Sequence, residues 1–160
     1  MKTAQYWIDK LNLQPHPEGG YFRQTDISDA THNESGLPLY TNIYFLLSED
    51  NPSHFHQLTS DELWFFHDGS PLTVHELHDN GSYTSTKIGK DSLHHTVHAG
   101  SIFGSTVETG YALVSCTVVP GFDFENFKLF TQSDLLSSHP EHKKIIERLA
   151  YKELPTENNE

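Results

Sequence analysis

Apolar and polar residues alternate in short runs over the middle of the chain, between residues 21 and 119. Runs of this kind, rich in Phe, Tyr, Val, Ile and Thr and separated by turn residues, predict β-strands. The pattern predicts nine strands, at 21–25, 40–47, 53–58, 62–67, 72–77, 83–88, 94–98, 101–105 and 111–119. A chain with about nine short strands is expected to fold as an all-β sandwich or small barrel.

A helical pattern flanks the β region on each side. Residues 3–13 carry apolar side chains at helical spacing behind Thr3, a suitable N-cap, and residues 140–150 read as a closing helix. No repeat or linker interrupts the chain, so we expect residues 1–160 to form one domain with its barrel at about 19–130.

Two predicted strands are apolar on both faces. In strand 40–47, Phe45 and Leu47 lie on one face while Tyr44 and Leu46 lie on the other, and strand 62–67 behaves in the same way. The inside of a barrel covers only one face of a strand, so the other must meet a helix, a terminal segment or a second subunit. This pattern predicts a homodimer.

The charge balance changes the list of expected partners. The 160 residues contain 10 Lys and Arg against 22 Asp and Glu, a formal net charge of −12. Such a surface repels phosphate backbones and anionic lipids, which argues against nucleic-acid and membrane partners. The chain has one cysteine, Cys116, and no secretory signal pattern, so we expect a cytoplasmic protein with a buried thiol.

The candidate chemistry lies in the segment from Ser53 to Phe66. Side chains alternate along a strand, so His54 and His56 share a face. A hairpin loop at 57–61 would set His56 opposite Glu62 and His54 opposite Trp64. Two imidazoles and one carboxylate on one face can bind a divalent ion and leave positions open for substrate. The alternative is a hydrogen-bonded polar cluster that lines a ligand pocket.

Several motifs resemble a known family. His54-x-His56 followed by Glu62 and Gly69 resembles the first motif of the cupin superfamily. The segments 15–23, 60–64, 69–72 and 119–127 resemble the short branch called cupin family 5. The resemblance implies an RmlC-like double-stranded β-helix, or jelly roll, and a dimer. It implies no particular substrate.

The chain departs from the second cupin motif. Phe103 occupies the position of the last metal-binding histidine, so the usual fourth ligand is missing. His95 either replaces this ligand or fills a polar position that glutamine occupies in the family. The metal hypothesis is one divalent ion, such as zinc, iron, manganese or nickel, held by His54, His56, Glu62 and His95.

Other residues are candidates for the wall of a ligand pocket. The only two arginines are Arg23 and Arg148, and Arg23 follows a glycine pair where it could face an anionic ligand. The candidate pocket residues are Arg23, Tyr44, Trp64, Phe66, Phe103 and Tyr111. We expect Phe122, Phe124 and Phe127 to pack against the barrel or a partner subunit rather than to bind ligand.

Three functions are compatible with these residues. The first is a small-molecule-binding protein without turnover. The second is a metal-dependent enzyme, and the third is a metal-free epimerase, isomerase or cyclase in which a histidine acts as base. In the metal-free hypothesis a carboxylate orients the histidine base and a tyrosine acts as acid. His56 and Glu62 are the candidate catalytic residues.

Overall fold

The computed structural model describes residues 2–156 and consists mainly of β-strands. The strands are β1 (Gln14–Pro15), β2 (Tyr21–Ile27), β3 (Thr41–Ser48), β4 (Ser53–Leu58), β5 (Asp61–Gly69), β6 (Leu72–Leu77), β7 (Tyr83–Ile88), β8 (His94–Val97), β9 (Ile102–Val107), β10 (Tyr111–Val119) and β11 (Phe127–Leu129). The α-helices are α1 (Ala4–Leu11), α2 (Gln132–Ser138) and α3 (Lys143–Leu149). All nine predicted strands are confirmed, whereas β1, β11 and α2 were not predicted.

The strands form two antiparallel sheets that face each other. One sheet has the order β1-β2-β3-β10-β5-β8 and the other the order β11-β4-β9-β6-β7. Successive strands alternate between the sheets over much of the chain, which is the arrangement of a jelly roll. The predicted all-β jelly roll with short terminal helices is therefore confirmed.

The main core fills the space between the sheets. Its largest members are Phe45, Trp64 and Phe103, each at most 1% exposed. Cys116 belongs to the same core and is fully buried, as expected. Such aromatic side chains each bury a large apolar area and so contribute strongly to the stability of the core.

The predicted hairpin between β4 and β5 is wrong. β4 pairs with β9 and β11, whereas β5 pairs with β10 and β8 in the other sheet. Only Thr59 and Ser60 connect the two strands, so the chain turns a corner from one sheet to the other. His56 and Glu62 therefore approach from opposite sheets instead of lying side by side.

A second core joins the C-terminal helices to the barrel. Phe55 and Leu149 are fully buried there, together with Leu135 and Ile146. Gly104 of β9 permits this contact, because a Cβ at that position would lie 2.8 Å from the Leu149 side chain. The closing helix was predicted at 140–150, and the structure has a 3-10 turn at Pro140–His142 followed by α3.

The outer face of the six-stranded sheet is partly covered by α1. Thr3 caps this helix by accepting a hydrogen bond from the Tyr6 amide, and Trp7 packs near Leu46 and Leu113. Phe65 on the same sheet remains 37% exposed, and the homodimer stays a prediction. Between residues 2 and 156, the helices are all too short to span a lipid bilayer.

Candidate functional site

The site begins with a tight turn between β1 and β2. The His16 amide donates to the Gly20 carbonyl, and the Gly19 amide donates to the His16 carbonyl. Gly19 has a φ of +109°, and a Cβ there would collide with the Pro52 carbonyl oxygen. Only glycine fits this position. The turn directs the side chains of His16 and Glu18 into the space between the sheets.

Glu18 and His56 share a hydrogen-bonded proton. His56 Nδ1 lies 2.7 Å from the His54 carbonyl oxygen, which can only accept, so Nδ1 carries a hydrogen. In the neutral ring Nε2 is then an acceptor, and it lies 3.0 Å from Glu18 Oε2. The Glu18 carboxyl group must donate to it. The Ser53 hydroxyl donates to the same carboxyl oxygen, so a series of hydrogen bonds runs from Ser53 through Glu18 to His56.

The His16 ring lies beside this series of hydrogen bonds. The Glu18 amide donates to His16 Nδ1 at 3.1 Å, which places the ring proton on Nε2. His16 Nδ1 is 3.4 Å from Glu18 Oε1, and since both atoms are acceptors in these states, Oε1 is left available to another donor.

Glu62 approaches from the other sheet. The residue is only 6% exposed, and among residues 2–156 its Oε2 makes no hydrogen bond of ordinary geometry, although the Trp64 indole and the Cys116 thiol lie close enough to lower its pKa. A buried carboxyl oxygen without a partner is energetically unfavourable. A buried carboxyl group beside a cavity is a candidate site residue.

One cavity of about 240 Å³ is lined by four titratable groups, which are His16, Glu18, His56 and Glu62. Its remaining wall is mostly apolar and includes the rings of Phe22, Phe122 and Phe124. The volume is below that of typical drug-sized sites, and a cavity of about 150 Å³ already holds a benzene molecule. The cavity therefore suits one six-membered ring with a small substituent.

Burial keeps the site uncharged near neutral pH. It raises the pKa of Glu62 to about 8, and it raises the pKa of Glu18 well above its usual range, with the nearby Glu62 charge adding to the effect. Burial also lowers the pKa of His16 to about 3 and that of His56 to about 4. Protonated carboxyl groups and neutral imidazoles therefore face the cavity, which agrees with the hydrogen-bond directions given above.

We expect His16 and His56 to remain neutral at pH 5. The unfolded chain takes up protons at these positions below about pH 6.5, whereas the folded protein does so only near pH 3–4. Their contribution to stability should therefore decrease as the pH falls across this interval. Imidazole ¹⁵N shifts recorded from pH 8 to 4 measure the protonation directly, and a midpoint near 6.5 for either ring would contradict the assignment.

The four donors of the metal hypothesis do not converge. The His54 ring stacks on Tyr151 at 3.8 Å, and its Nδ1 donates to the Glu18 carbonyl oxygen. His95 donates to Glu76 at 3.0 Å, away from the cavity lining. The hairpin on which their common face depended is absent, and the pairing of β4 with β9 is irregular between Ser53 and His56.

The described residues consequently do not fit a resident divalent ion. Over residues 2–156, no three or more His, Cys, Asp or Glu side chains form a group suited to metal binding. Both ring nitrogens of His56 are already engaged by the His54 carbonyl and the Glu18 carboxyl group. The pattern of donors instead resembles a proton-transfer chain.

The six predicted pocket residues lie elsewhere. Trp64 and Phe103 are core residues, and Phe66 packs against the same core. Arg23 and Tyr44 are on the outer face of the sheet, where Arg23 donates to the Leu11 carbonyl. Tyr111 is also outside and donates to Asp68 at 2.7 Å. Arg23, Tyr44 and Tyr111 therefore face away from the space between the sheets, whereas the other three residues pack in the core without lining the cavity.

The three phenylalanines that were expected to pack rather than to bind ligand do so only in part. Phe122 and Phe127 pack against the main core, as expected. Phe122 and Phe124 also line the cavity, and Phe124 is 57% exposed at its rim. The His16 and Phe122 ring centroids are 6.3 Å apart, which makes His16 part of the same aromatic cluster.

Sequence reasoning missed His16, Glu18 and Ser53 as site residues. The available signal was two ionisable residues two positions apart, between prolines and glycines, in the segment from Pro15 to Gly20. Polar side chains in such a rigid turn are aimed by the backbone, which makes them candidates for a site. Their proximity to His56 depends on sheet pairing that local patterns do not specify.

Comparisons with known proteins agree with this fold. A family model described as "Cupin superfamily (DUF985)" matches residues 5–130. A hypothetical protein from Leishmania major is 39% identical, with a TM-score of 0.89 over 94% of this chain and 99% of that protein. A protein from Shewanella oneidensis is also 39% identical, with a TM-score of 0.91 over 96% of this chain and 100% of that protein.

A further similar protein comes from Saccharomyces cerevisiae and is described as an uncharacterized protein. The Saccharomyces cerevisiae protein is 28% identical over 163 residues, which cover 84% of this chain and 78% of the relative. The family match spans the barrel, the His16–Glu18 turn and the strands that carry His56 and Glu62. This chain therefore belongs to the cupin superfamily, in the family described as DUF985.

Proposed function

We propose that this protein binds a small, uncharged carbonyl compound in the cavity and transfers a proton at the carbon next to the carbonyl, without a metal. The proposed reaction class is isomerisation or epimerisation through an enol. The observation that carries the proposal is the placement of the Glu18–His56 hydrogen bond and the buried Glu62 carboxyl group around one ring-sized cavity.

Glu18 is the proposed base. Its Oε1 accepts the proton from the substrate carbon while the proton on Oε2 passes to His56 Nε2, 3.0 Å away. Glu18 thus stays neutral overall, and His56 becomes an imidazolium. His56 acts behind Glu18, because both of its ring nitrogens are engaged by protein groups. The relay keeps Glu18 itself neutral, because the proton that it gains on Oε1 is matched by the proton that it passes to His56.

Glu62 is the proposed acid. As a protonated carboxyl group it donates to the carbonyl oxygen of the substrate, which stabilises the negative charge that develops there. When its proton transfers, the products of the step are a neutral enol, a Glu62 carboxylate and a His56 imidazolium, so the total charge is unchanged. Return of the protons completes the turnover.

The charge of the cavity supports an uncharged substrate. Among the described residues that line it, lysine and arginine are missing, so a phosphate or carboxylate group would find no cationic partner. A neutral carbonyl compound needs only the hydrogen bond that Glu62 can donate. The aromatic rings of Phe22, Phe122 and Phe124 suit the apolar side of a ring.

Cyclohexanone in D₂O tests the proposal. We expect the wild-type protein to speed deuterium incorporation next to the carbonyl by at least about tenfold over a Glu18→Gln variant, since general bases contribute about 10²–10⁴-fold for their own substrates. Exchange is followed by NMR, and it should persist after dialysis against a chelator. Glu49→Gln, which changes an exposed glutamate, is the matched control.

Three results would contradict the proposal. Exchange that is equally fast in Glu18→Gln would remove Glu18 from the reaction. Loss of exchange on chelation would indicate metal-dependent chemistry. Saturation-transfer signals from bound cyclohexanone without faster exchange would identify a binding protein without turnover.

A further inference from the structure

Tyr151 lies behind the Glu18–His56 pair, in a segment that follows the last helix. Its ring stacks on His54 with centroids 3.8 Å apart and an interplanar angle of 15°. Its hydroxyl donates to the Pro17 carbonyl at 3.1 Å. Tyr151 is not among the residues that line the cavity. It therefore contacts the supports of the site without touching the ligand space.

The two partners of Tyr151 hold the two members of the proton chain. His54 donates to the Glu18 carbonyl through both its amide, at 2.7 Å, and its Nδ1, at 2.8 Å. The His54 carbonyl in turn accepts the hydrogen bond from His56 Nδ1. Pro17 directly precedes Glu18 in the turn. Fixing His54 and Pro17 thus fixes the Glu18 backbone and the orientation of the His56 ring.

The Tyr151 backbone is itself anchored. The Gln132 amide donates to the Tyr151 carbonyl at 2.8 Å, and residues 131 and 151 form a parallel bridge. Leu149 and Ala150, immediately before Tyr151, are buried in the C-terminal core. The packed segment 149–151 therefore holds the Tyr151 ring in place against His54.

We propose that Tyr151 is a positioning residue that sets the geometry of the Glu18–His56 proton transfer from outside the cavity. The inference rests on the proposed function for its kinetic effect, but its structural part stands independently. Proton transfer depends on the donor–acceptor distance, and small displacements of a positioned group reduce the rate strongly. A residue that holds the pair should therefore affect the catalytic step more than ligand binding.

Two variants separate the contribution of the Tyr151 ring from that of its hydroxyl group. Tyr151→Leu removes both the stacked ring and the hydroxyl, whereas Tyr151→Phe keeps the ring. With cyclohexanone as the probe, we expect kcat for exchange to fall about tenfold in the leucine variant, with KM changed less than about twofold, and to be largely restored in the phenylalanine variant. Tyr40→Phe, at an exposed tyrosine, is the control.

The proton shared by Glu18 and His56 gives a readout that does not require turnover. In the wild-type protein we expect a downfield ¹H signal for this hydrogen bond, shifted or broadened in Tyr151→Leu but retained in Tyr151→Phe. A folded leucine variant with an unchanged signal would overturn the inference, even if the wild-type protein catalyses no exchange. If the leucine variant does not fold, a Tyr151→Phe signal altered as strongly as that of a Glu18→Gln variant would overturn the role of the ring.

Discussion

Replacing Glu62 with glutamine should stabilise the protein by about 3 kcal/mol at pH 7. The folded protein keeps Glu62 protonated up to a pKa of about 8, whereas the unfolded chain releases that proton near 4.5. A group whose pKa is raised by folding contributes its full stability below the unfolded value and loses it as the pH rises toward the folded value. Each pH unit in this interval costs about 1.4 kcal/mol, and glutamine does not titrate.

Urea unfolding of Glu62→Gln and the wild-type protein at pH 4.5 and pH 7 measures this effect. The two proteins should differ little at pH 4.5, and the difference should grow with pH. Glu49→Gln serves as the control because its exposed side chain is solvated in both states. A pH-independent difference would show that Glu62 is ionised in the folded protein.

The same variant should lose the proposed activity. Proteins tolerate a destabilising buried acid where function requires it, so greater stability combined with lost exchange is the signature of a site residue. If Glu62→Gln were both more stable and fully active, the carboxyl group would have no role in the reaction. This outcome would leave the fold and the cavity unaffected.

Replacing Phe55 with alanine should destabilise the protein by about 3–5 kcal/mol, the usual range for a fully buried phenylalanine. Phe55 belongs to β4 and is 0% exposed, and its side chain packs against the C-terminal helices in a cluster with Leu149 and Ile146. Its loss leaves a cavity that rigid neighbouring strands cannot close. Chemical denaturation with a two-state fit measures the change.

Phe65 provides a matched comparison, since Phe65→Ala removes the same side chain from a position that is 37% exposed. We expect a loss of less than about 1.5 kcal/mol there, because less apolar surface is returned to water. Equal small losses for the two variants would contradict the assignment of Phe55 to a closed core. Equal large losses would indicate that the outer face around Phe65 is buried in an assembly.

The strands could be predicted from the sequence because each is a local pattern. Val, Ile and aromatic residues between Asn-Gly, Asp-Gly and similar turns identify strands without knowledge of their partners. Which strands pair with each other depends instead on residues that are far apart in the sequence. The two residues Thr59 and Ser60 are compatible with a hairpin or with a corner between sheets, and the long-range pairing of β4 with β9 decides between them.

The site was predicted in part for the same reason. His56 and Glu62 were selected because strand alternation and the expected hairpin would place an imidazole and a carboxylate on one face, and both residues line the cavity. His54 was assigned to the same face by strict alternation, which the irregular pairing after Ser53 breaks. Glu18 lies 38 residues before His56, and only the folded sheets bring the two side chains together.

The position of Tyr151 has a consequence for how this family is delimited. The matching family segment ends at residue 130, yet the ring behind His54 and the helix packed on Phe55 come from later in the chain. An excised 5–130 fragment would retain every cavity-lining side chain while exposing the back of β4 to water. Homologues that share the barrel but differ after residue 130 can thus carry the same ligand-facing residues on differently supported scaffolds.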